Sequence, residues 1–309
     1  MSVPLIVLVG ATASGKSRLA VQLAHCLHAQ GRACEIINAD SMCIYRGMDI
    51  GTAKPTMAER EGIPHHLLDI LEVYQDASVA EFQQMARRSI ADLRARSIIP
   101  IIVGGSSLYN RAITDHFDFP GTDPQRRAYW NEQLEIHGSH YLHDLLGRRC
   151  PEAADGILPG NGRRIVRALE VIDLTGSFSS SLPDHVYALD DVIQWGIAIE
   201  RSDLDEAIER RVDMMLDEGL VDEVKSLIDQ GLREGKTAQR GLGYRQILEY
   251  LDSECSLEQA RDNTVVATRR FSRKQLMWYR KDPRIQWFER HEDTAKRMLS
   301  HLQRWEDGR

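Results

Sequence analysis

Short apolar runs alternate along this chain with longer stretches in which apolar residues recur at helical spacing. The runs occupy residues 5–9, 35–39, 98–103, 193–199 and 285–288. Runs of this length, rich in Ile and Val, predict buried strands, and the amphipathic stretches between them predict helices. Strands that alternate with helices form mainly parallel sheets. The pattern therefore predicts an α/β fold in which helices flank a parallel sheet core.

The pattern changes between about residues 119 and 191, where polar helical segments replace the strand runs. DPQRRAYWNEQLEIHG and GRRIVRALEVIDLTG are two such segments, and the Ser-rich TGSFSSSLPD follows as a connecting loop. We therefore predict a helical insertion domain over residues 119–191. The core would then consist of residues 1–118 and 192–309, with mostly helical structure in the last hundred residues.

The first predicted strand leads directly into GATASGKS, residues 10–17. Gly10, Gly15, Lys16 and Ser17 match the pattern G-x(4)-G-K-[ST], and a strand before it and a helix after it are the context of a phosphate-binding loop. Backbone N–H groups of residues 13–16 would form an anion cradle, with Lys16 adding charge and Ser17 binding Mg²⁺. The simpler alternative is a glycine turn with a surface lysine. Because a diphosphate satisfies such a cradle, the presence of a nucleoside stays open.

A plain kinase or ATPase would be expected to carry a second acidic residue for Mg²⁺ at the end of a later strand. The run at residues 98–103 is instead followed by GGSSLY, without an Asp. An acid does follow the second run, where Asp40 and Ser41 stand at the carboxyl edge of the predicted sheet, the edge at which such sheets bind ligands. Asp40 could be a general base, a metal ligand or a simple cap of the next segment.

Composition limits the class of protein. The 309 residues are 42% apolar or aromatic and carry a net charge of −7, which argues against indiscriminate nucleic-acid binding. No apolar run approaches the roughly 20 residues of a membrane helix, and no signal sequence precedes the first strand. The five scattered cysteines suggest neither disulfides nor a zinc site. We therefore expect a soluble cytoplasmic protein.

Cations are nevertheless concentrated near the C-terminus. On a helical wheel those between residues 269 and 284 occupy an arc of roughly 140°, with Phe271, Leu276, Trp278 and Tyr279 outside it. One face of the helix could then pack while the other meets phosphates, although a solvated basic face is the ordinary alternative. The cations are Arg269, Arg270, Arg273, Lys274, Arg280, Lys281 and Arg284.

Several segments together resemble the bacterial tRNA dimethylallyltransferase (isopentenyl transferase) family, in the family's order and over nearly the whole chain. Eukaryotic relatives tend to carry a C-terminal zinc-finger extension that this sequence lacks, so we expect a bacterial source. The most specific segment is YRGMDIGTAKP. The segments are GATASGKS, ADSMCIYRGMDIGTAKP, PHHLLDI, VGGSSLY, GRRIVRALEV, RGLGYRQ and ATRRFSRKQLMWYRK.

The resemblance implies a P-loop NTPase-like core, dimethylallyl diphosphate as donor, Mg²⁺ on Ser17 and N6 of a tRNA adenosine as acceptor. It implies Asp40 as the general base, and Lys16, Ser106 and Arg211 as groups that assist departure of diphosphate. The residues that it assigns to the diphosphate are Gly10, Ala11, Thr12, Ala13, Ser14, Gly15, Lys16 and Ser17.

Two of these assignments have alternatives. Ser106 stands where the family usually has Thr, and GGSS could be only a strand-to-helix turn. Arg211 falls on the edge of the apolar stripe of a helix predicted over residues 204–216, where it could instead form an interior ion pair with Asp213 or Glu218.

The resemblance also implies contacts with the anticodon stem-loop of tRNA, made by a monomer. They fall around Asp40, in the insertion, in RGLGYR and on the basic helix. The residues are Asp40, Ser41, Met42, Cys43, Ser106, Arg127, Arg163, Arg164, Ile165, Val166, Arg167, Arg240, Gly241, Leu242, Gly243, Tyr244, Arg245, Arg270 and Lys274.

Two other functions use the same loop. An enzyme that prenylates free adenine nucleotides needs the loop and the base but no extended RNA surface, so the arginine-rich insertion and basic helix argue against it. A P-loop nucleotide kinase or an ATP-switched RNA-binding protein would bind ATP and should carry the second metal-binding acid that is not evident here.

Overall fold

The computed structural model describes residues 3–308, and in this part of the chain six strands form one parallel sheet in the order β3-β2-β4-β1-β5-β6. The five strands predicted from apolar runs are confirmed. The sixth, β3, has two residues and no apolar run, and it pairs with β2. The strands are β1 Leu5–Val9, β2 Cys34–Asn38, β3 His65–His66, β4 Ile99–Gly104, β5 Val192–Ala198 and β6 Ile285–Glu289.

Helices occupy most of the remaining chain. A short 3₁₀ helix, Ala238–Arg240, precedes α9. The α-helices are α1 Lys16–His28, α2 Val79–Ala95, α3 Ser107–Thr114, α4 Pro124–Arg149, α5 Pro151–Asp155, α6 Gly162–Thr175, α7 Arg201–Asp217, α8 Leu220–Asp229, α9 Tyr244–Leu251, α10 Leu257–Tyr279 and α11 Thr294–Asp307.

Both faces of the sheet are covered, which explains why its long strands are mainly apolar, with β1 buried at every position. Successive side chains of a strand point to opposite faces. Val7 of β1 accordingly joins a core with Phe82 of α2, whereas Leu8 joins a second core with Leu23 of α1 and Met298 of α11. This arrangement confirms the predicted α/β fold.

Because all strands are parallel, the segments that follow β1, β2 and β4 meet at one edge of the sheet. The segments after β2 and β4 approach very closely there. A side chain on Gly104 would place its Cβ 2.3 Å from the carbonyl oxygen of Ala39. The glycine therefore permits two backbones to pass at a distance that no other residue allows.

The chain divides into two compact units, of which the second consists of residues His116–Val186. In these residues the structure has three helices and no strand. Asp123 caps α4 and Asn161 caps α6, while α4 is interrupted at Gly138, whose φ of 78° lies outside the helical region. The core of this unit is formed by Trp130, Leu142, Leu146, Ala153, Ile165, Leu169 and Ile172.

The boundaries of this unit differ by a few residues from the predicted insertion 119–191. Tyr187 forms an antiparallel bridge with Asp115, and the Ala188 N–H donates to the carbonyl oxygen of Thr114 at 2.8 Å. These contacts attach the returning chain to the first unit before β5 begins.

Candidate active site

The phosphate loop ends in a helix start that is free of side-chain caps. Gly15 is the N-cap of α1, with a positive φ of 88° that favours glycine, and no side chain accepts the first N–H groups of the helix. Uncapped N–H groups at a helix N-terminus bind anions. Gly10, Ala11 and Ser14 lie buried behind this surface.

Lys16 is buried within the loop, where its Nζ donates to the carbonyl oxygen of Ala11 at 2.6 Å. Burial lowers the pKa of Lys16 to about 8, although the nearby Asp40 carboxylate partly opposes this shift. An ammonium group without a carboxylate bonded to it gains strongly from a bound anion. Ser17, next to it, is exposed.

Two cavities meet at the carboxyl edge of the sheet. The first, here the loop cavity, has a volume of about 360 Å³ and is lined by Thr12, Ala13, Gly15, Lys16 and Ser17 together with Cys43. The second, here the apolar cavity, has a volume of about 300 Å³. Its walls include Met42, Ile208, Val212, Met215, Leu242 and Phe271.

Asp40, Arg211, Thr12 and Thr52 line both cavities. The carboxylate and guanidinium predicted to act together therefore stand where the loop cavity and the apolar cavity join. Ser106 lines the apolar cavity.

Asp40 has one oxygen engaged and one available. Its Oδ1 accepts the N–H of Met42 at 2.9 Å, and its own N–H donates to Oδ1 of Asn38 at 3.0 Å. These bonds fix the turn after β2, so the capping interpretation accounts for one oxygen. Oδ2 has no hydrogen-bond partner among residues 3–308 and remains able to accept a proton.

Arg211 is half-buried on α7. Its Nη2 donates to the carbonyl oxygen of Thr52 at 2.9 Å and its Nη1 to Oγ1 of Thr12 at 3.4 Å. Desolvation lowers the pKa of this guanidinium. The alternative pairing with Asp213 is not found, because Asp213 accepts from Arg261 at 2.8 Å. Arg211 thus borders the cavities without a carboxylate hydrogen-bonded to it in the described chain.

Ser106 occupies the N-cap position of α3, yet its side chain makes no cap hydrogen bond. The residue does stand at the strand-to-helix turn, as the simpler interpretation has it. Its hydroxyl is nevertheless not used by that turn, which leaves it available to the cavity that it lines.

A glutamine that the sequence did not single out joins three segments of the site. Gln275 of α10 is buried; its Oε1 accepts the N–H of Thr12 at 2.8 Å and its Nε2 donates to the carbonyl oxygen of Gly105 at 2.7 Å. The side-chain amide therefore holds the phosphate loop against the turn after β4. The sequence contained one indication of this role, a polar glutamine at a position of the predicted helix that faces the core.

A second clamp holds the YRGMDIGTAKP segment. The Glu223 carboxylate on α8 accepts the N–H groups of Asp49, Ile50 and Gly51 at 2.7–3.2 Å and the hydroxyl of Tyr244 at 2.5 Å. The next residue, Thr52, supplies the carbonyl that binds Arg211. Glu223 therefore fixes the backbone that orients the guanidinium.

We expect Glu223→Gln to lower the free energy of unfolding by at least about 2 kcal/mol, because an amide cannot accept all four donors and each bond to a charged acceptor contributes about 1.5–3 kcal/mol. Urea unfolding measures the loss. Asp222→Asn is the matched control, since the Asp222 side chain is 81% exposed and pairs only with Lys225. Equal losses in both variants would contradict the clamp.

The predicted tRNA contacts are placed unevenly. Ile165, Val166, Gly241, Gly243 and Tyr244 are buried, although Gly241 lines the apolar cavity. Ile165 and Val166 belong to the core of the second unit, and Tyr244 belongs to the Glu223 clamp. Cys43 is a buried part of the wall of the loop cavity, where desolvation raises the pKa of its thiol to about 12.

The arginines of the second unit are mostly occupied. Arg127 and Arg167 both pair with the buried carboxylate of Glu170, and Arg164 donates to the carbonyl oxygen of Ser180 at 2.6 Å. Arg163 is exposed. In the first unit, Arg240 and Arg245 are exposed on either side of α9's start, with Arg245 bonded to Glu249 at 2.9 Å.

The basic face predicted over residues 269–284 is smaller in the structure, where α10 ends at Tyr279. Arg269 pairs with Glu209 at 2.9 Å, and Arg284 bonds to the buried carboxylates of Asp115 and Asp282. These two cations serve internal contacts because acids from distant segments reach them. The exposed cations are Arg270, Arg273, Lys274, Arg280 and Lys281.

Comparisons with known proteins converge on one group. The family model described as IPP transferase matches residues 43–282, and a model described as chromatin associated protein KTI12 matches residues 3–60, which contain the phosphate loop. The chain is 54% identical to a tRNA dimethylallyltransferase of Cutibacterium acnes over 93% of this chain and 90% of that protein. It is 56% identical to one of Thermobifida fusca over 91% and 88%.

A solved structure is similar as well. The full-length tRNA isopentenylpyrophosphate transferase of Bacillus halodurans aligns with a TM-score of 0.70 at 36% identity, over 97% of this chain and 95% of that one. The similarity therefore extends through both units of the chain.

Proposed function

Because this chain belongs to the IPP transferase family, we propose that it transfers a dimethylallyl group from dimethylallyl diphosphate to N6 of adenosine 37 in tRNA, beside the anticodon. The observation that carries the proposal is the position of Asp40, with a free carboxylate oxygen where the loop cavity joins the apolar cavity. A base at this junction reaches an acceptor on one side and a diphosphate ester on the other.

The chemistry of each cavity fits one part of the reactants. The loop cavity offers uncapped N–H groups and Lys16 to the diphosphate. The apolar cavity offers Met42, Val212 and Phe271 to the hydrocarbon and to the adenine ring. Such cavities are mostly apolar with a few placed polar groups, as here with Ser106 and Arg211.

Mg²⁺ fits this site as a partner of the substrate. Among residues 3–308 no three His, Cys, Asp or Glu side chains are grouped to hold a metal ion. Mg²⁺ is commonly bound through one or two protein oxygens with phosphate oxygens and water, and the exposed hydroxyl of Ser17 in the loop cavity supplies such an oxygen. When bound, the ion would neutralise charge on the diphosphate.

The proposed reaction exchanges the bond from C1 to oxygen for a bond from C1 to nitrogen and moves one proton. N6 of adenine attacks C1 of the dimethylallyl group, the bond from C1 to the bridging oxygen breaks, and the electron pair leaves with diphosphate. Asp40 Oδ2 accepts the proton lost by N6. Lys16, Ser106 and Arg211 donate to the oxygens on which charge increases, which stabilises the transition state more than the ground state.

Transfer of radiolabelled dimethylallyl from its diphosphate, with Mg²⁺, tests the proposal. The acceptors are unmodified tRNA with adenosine 3′ of the anticodon, the same tRNA with that base changed, and free AMP. Label on the first alone supports it. Label on AMP would favour the nucleotide-prenylating alternative, and ATP hydrolysis without transfer would favour a nucleotide-binding loop.

The low pKa of Lys16 gives the reaction a pH dependence. The free enzyme loses the Lys16 charge as the pH rises through about 8, so kcat/KM for dimethylallyl diphosphate should fall about tenfold per pH unit above that value. Steady-state rates between pH 6.5 and 9.5 measure this. Lys16→Arg should lack the decline, because arginine stays charged throughout. A wild-type profile that is flat to pH 9.5 would contradict the assignment.

The proposed partner is the anticodon stem-loop of tRNA, bound by a monomer in the cytoplasm. Within the described part of the chain, none of the helices combines the length and apolar character needed to span a bilayer.

A further inference from the structure

Exposed aromatic side chains lie among the cations on α10. Phe271 is 42% exposed and Trp278 is 41% exposed. Seven residues separate them, which places them on one line along the helix, about 10 Å apart. Lys274 stands between them, and Nζ of Lys281 lies 5.7 Å from the centroid of the Trp278 ring. Ring and cation therefore alternate from Phe271 along α10 to Lys281, which lies just beyond the end of the helix.

We propose that this line is a stacking platform for unpaired bases of the anticodon loop, with Trp278 stacking on a nucleotide adjacent to the reacting adenosine. The proposal rests on the proposed tRNA function. It adds a residue that binds the RNA by stacking its aromatic ring on a base rather than by pairing a charge with a phosphate.

Charge identifies the kind of partner. From residue 263 to residue 281 the chain contains no Asp or Glu, and Asp282, which follows, is buried against Arg284. A protein partner would place charged residues at the rim of its interface and few at the centre. Here the exposed cations Arg270, Arg273 and Lys274 lie beside the rings on the same helix, a combination that suits phosphates flanking stacked bases.

The helix is continuous with the active site, which indicates where the RNA strand would lie. Phe271 lines the apolar cavity together with Asp40. A base that leaves its stack to reach Asp40 must pass Phe271, so its neighbour in the loop arrives farther along the same helix. Trp278, two turns away, is the exposed aromatic residue in that direction.

The decisive variant is Trp278→Ala, measured as the Kd for an anticodon stem-loop RNA over a range of salt concentrations. We expect Kd to rise about 5- to 150-fold, the effect of losing one stacked base, with the salt slope unchanged. Trp278→Phe should restore most of the affinity. Neutralising Arg270 and Lys274 together should instead flatten the salt slope, because phosphate contacts release counterions.

Two controls separate stacking from general damage. Met277→Ala removes a neighbouring side chain that is 54% exposed and apolar but has no ring, and it should leave Kd within twofold. Quenching of tryptophan fluorescence by the stem-loop should be present in the wild type and largely lost in Trp278→Phe, which still binds.

An unchanged Kd in Trp278→Ala would overturn the platform, and so would a loss that Trp278→Phe does not repair. A change of oligomeric state in sedimentation of Trp278→Ala, without a change in RNA affinity, would assign the face to a second copy of the chain. The proposed function would be unaffected by any of these results, since it fails only if the wild type does not transfer dimethylallyl to tRNA.

Discussion

Replacing Asp40 by asparagine is expected to lower kcat for prenyl transfer by roughly 10²- to 10⁴-fold, the contribution typical of a positioned general base. The amine of adenine is a weak nucleophile because its lone pair is delocalised, so removal of its proton matters to the rate. Single-turnover rates at saturating dimethylallyl diphosphate measure the chemical step. The Kd for tRNA should change little.

Asparagine is the informative substitution because it separates the roles open to Asp40. Its Oδ1 can still accept the N–H of Met42, which keeps the turn after β2 intact. If Asp40 only caps that turn, Asp40→Asn should be nearly as active as the wild type and Asp40→Ala impaired. If Asp40 is a metal ligand, activity of Asp40→Asn should return at high Mg²⁺ concentration. A base gives neither result.

Replacing Arg211 by methionine should lower kcat/KM for dimethylallyl diphosphate by about 10²- to 10³-fold, the effect of deleting one preorganised donor to developing charge. The guanidinium is held by Thr52 and Thr12 at the junction of the cavities, and no carboxylate of residues 3–308 is hydrogen-bonded to it. Arg211→Lys should recover only part of the loss, since lysine keeps the charge but not the planar fork of donors.

The adjacent residue provides the control. Arg210 points away from the site and pairs with Glu206 at 3.2 Å on the helix surface. Arg210→Met removes the same charge from the same helix and should behave like the wild type. Equal effects of the two substitutions would show that the helix, rather than the position of Arg211, is responsible.

The sheet was largely predictable because most positions of its long strands are buried and therefore apolar. The strand β3 was not predicted, because His65 and His66 pair with β2 over two positions only, which leaves no periodicity to detect. The helical nature of residues 116–186 followed from the spacing of apolar residues. Its exact limits did not, since they depend on the bridge between Asp115 and Tyr187.

The site was predictable where a residue adjoins a strand end or a recognised loop, as with Lys16, Asp40 and Ser106. Gln275 and Glu223 were missed because the backbone groups that they bind lie at least 170 residues away in sequence. Distance along the chain also explains the error at Arg284: this residue lies beyond the end of α10, and a helical wheel drawn over residues 269–284 contains no information on Asp115. Charge patterns within one segment cannot reveal acids contributed by another.

The close passage of two backbones behind the site also limits how this sequence can diverge. At Gly104 the obstructing atoms are the carbonyl group and Cβ of Ala39, so no substitution elsewhere can make room for a side chain. At Gly105 the obstructing atom is Nε2 of Gln275, the end of a flexible side chain, 2.5 Å from the position of a Cβ. A shorter residue at 275 would compensate for alanine at 105. Gly104 must therefore remain glycine whatever else changes. Gly105 must remain glycine only while residue 275 is a glutamine.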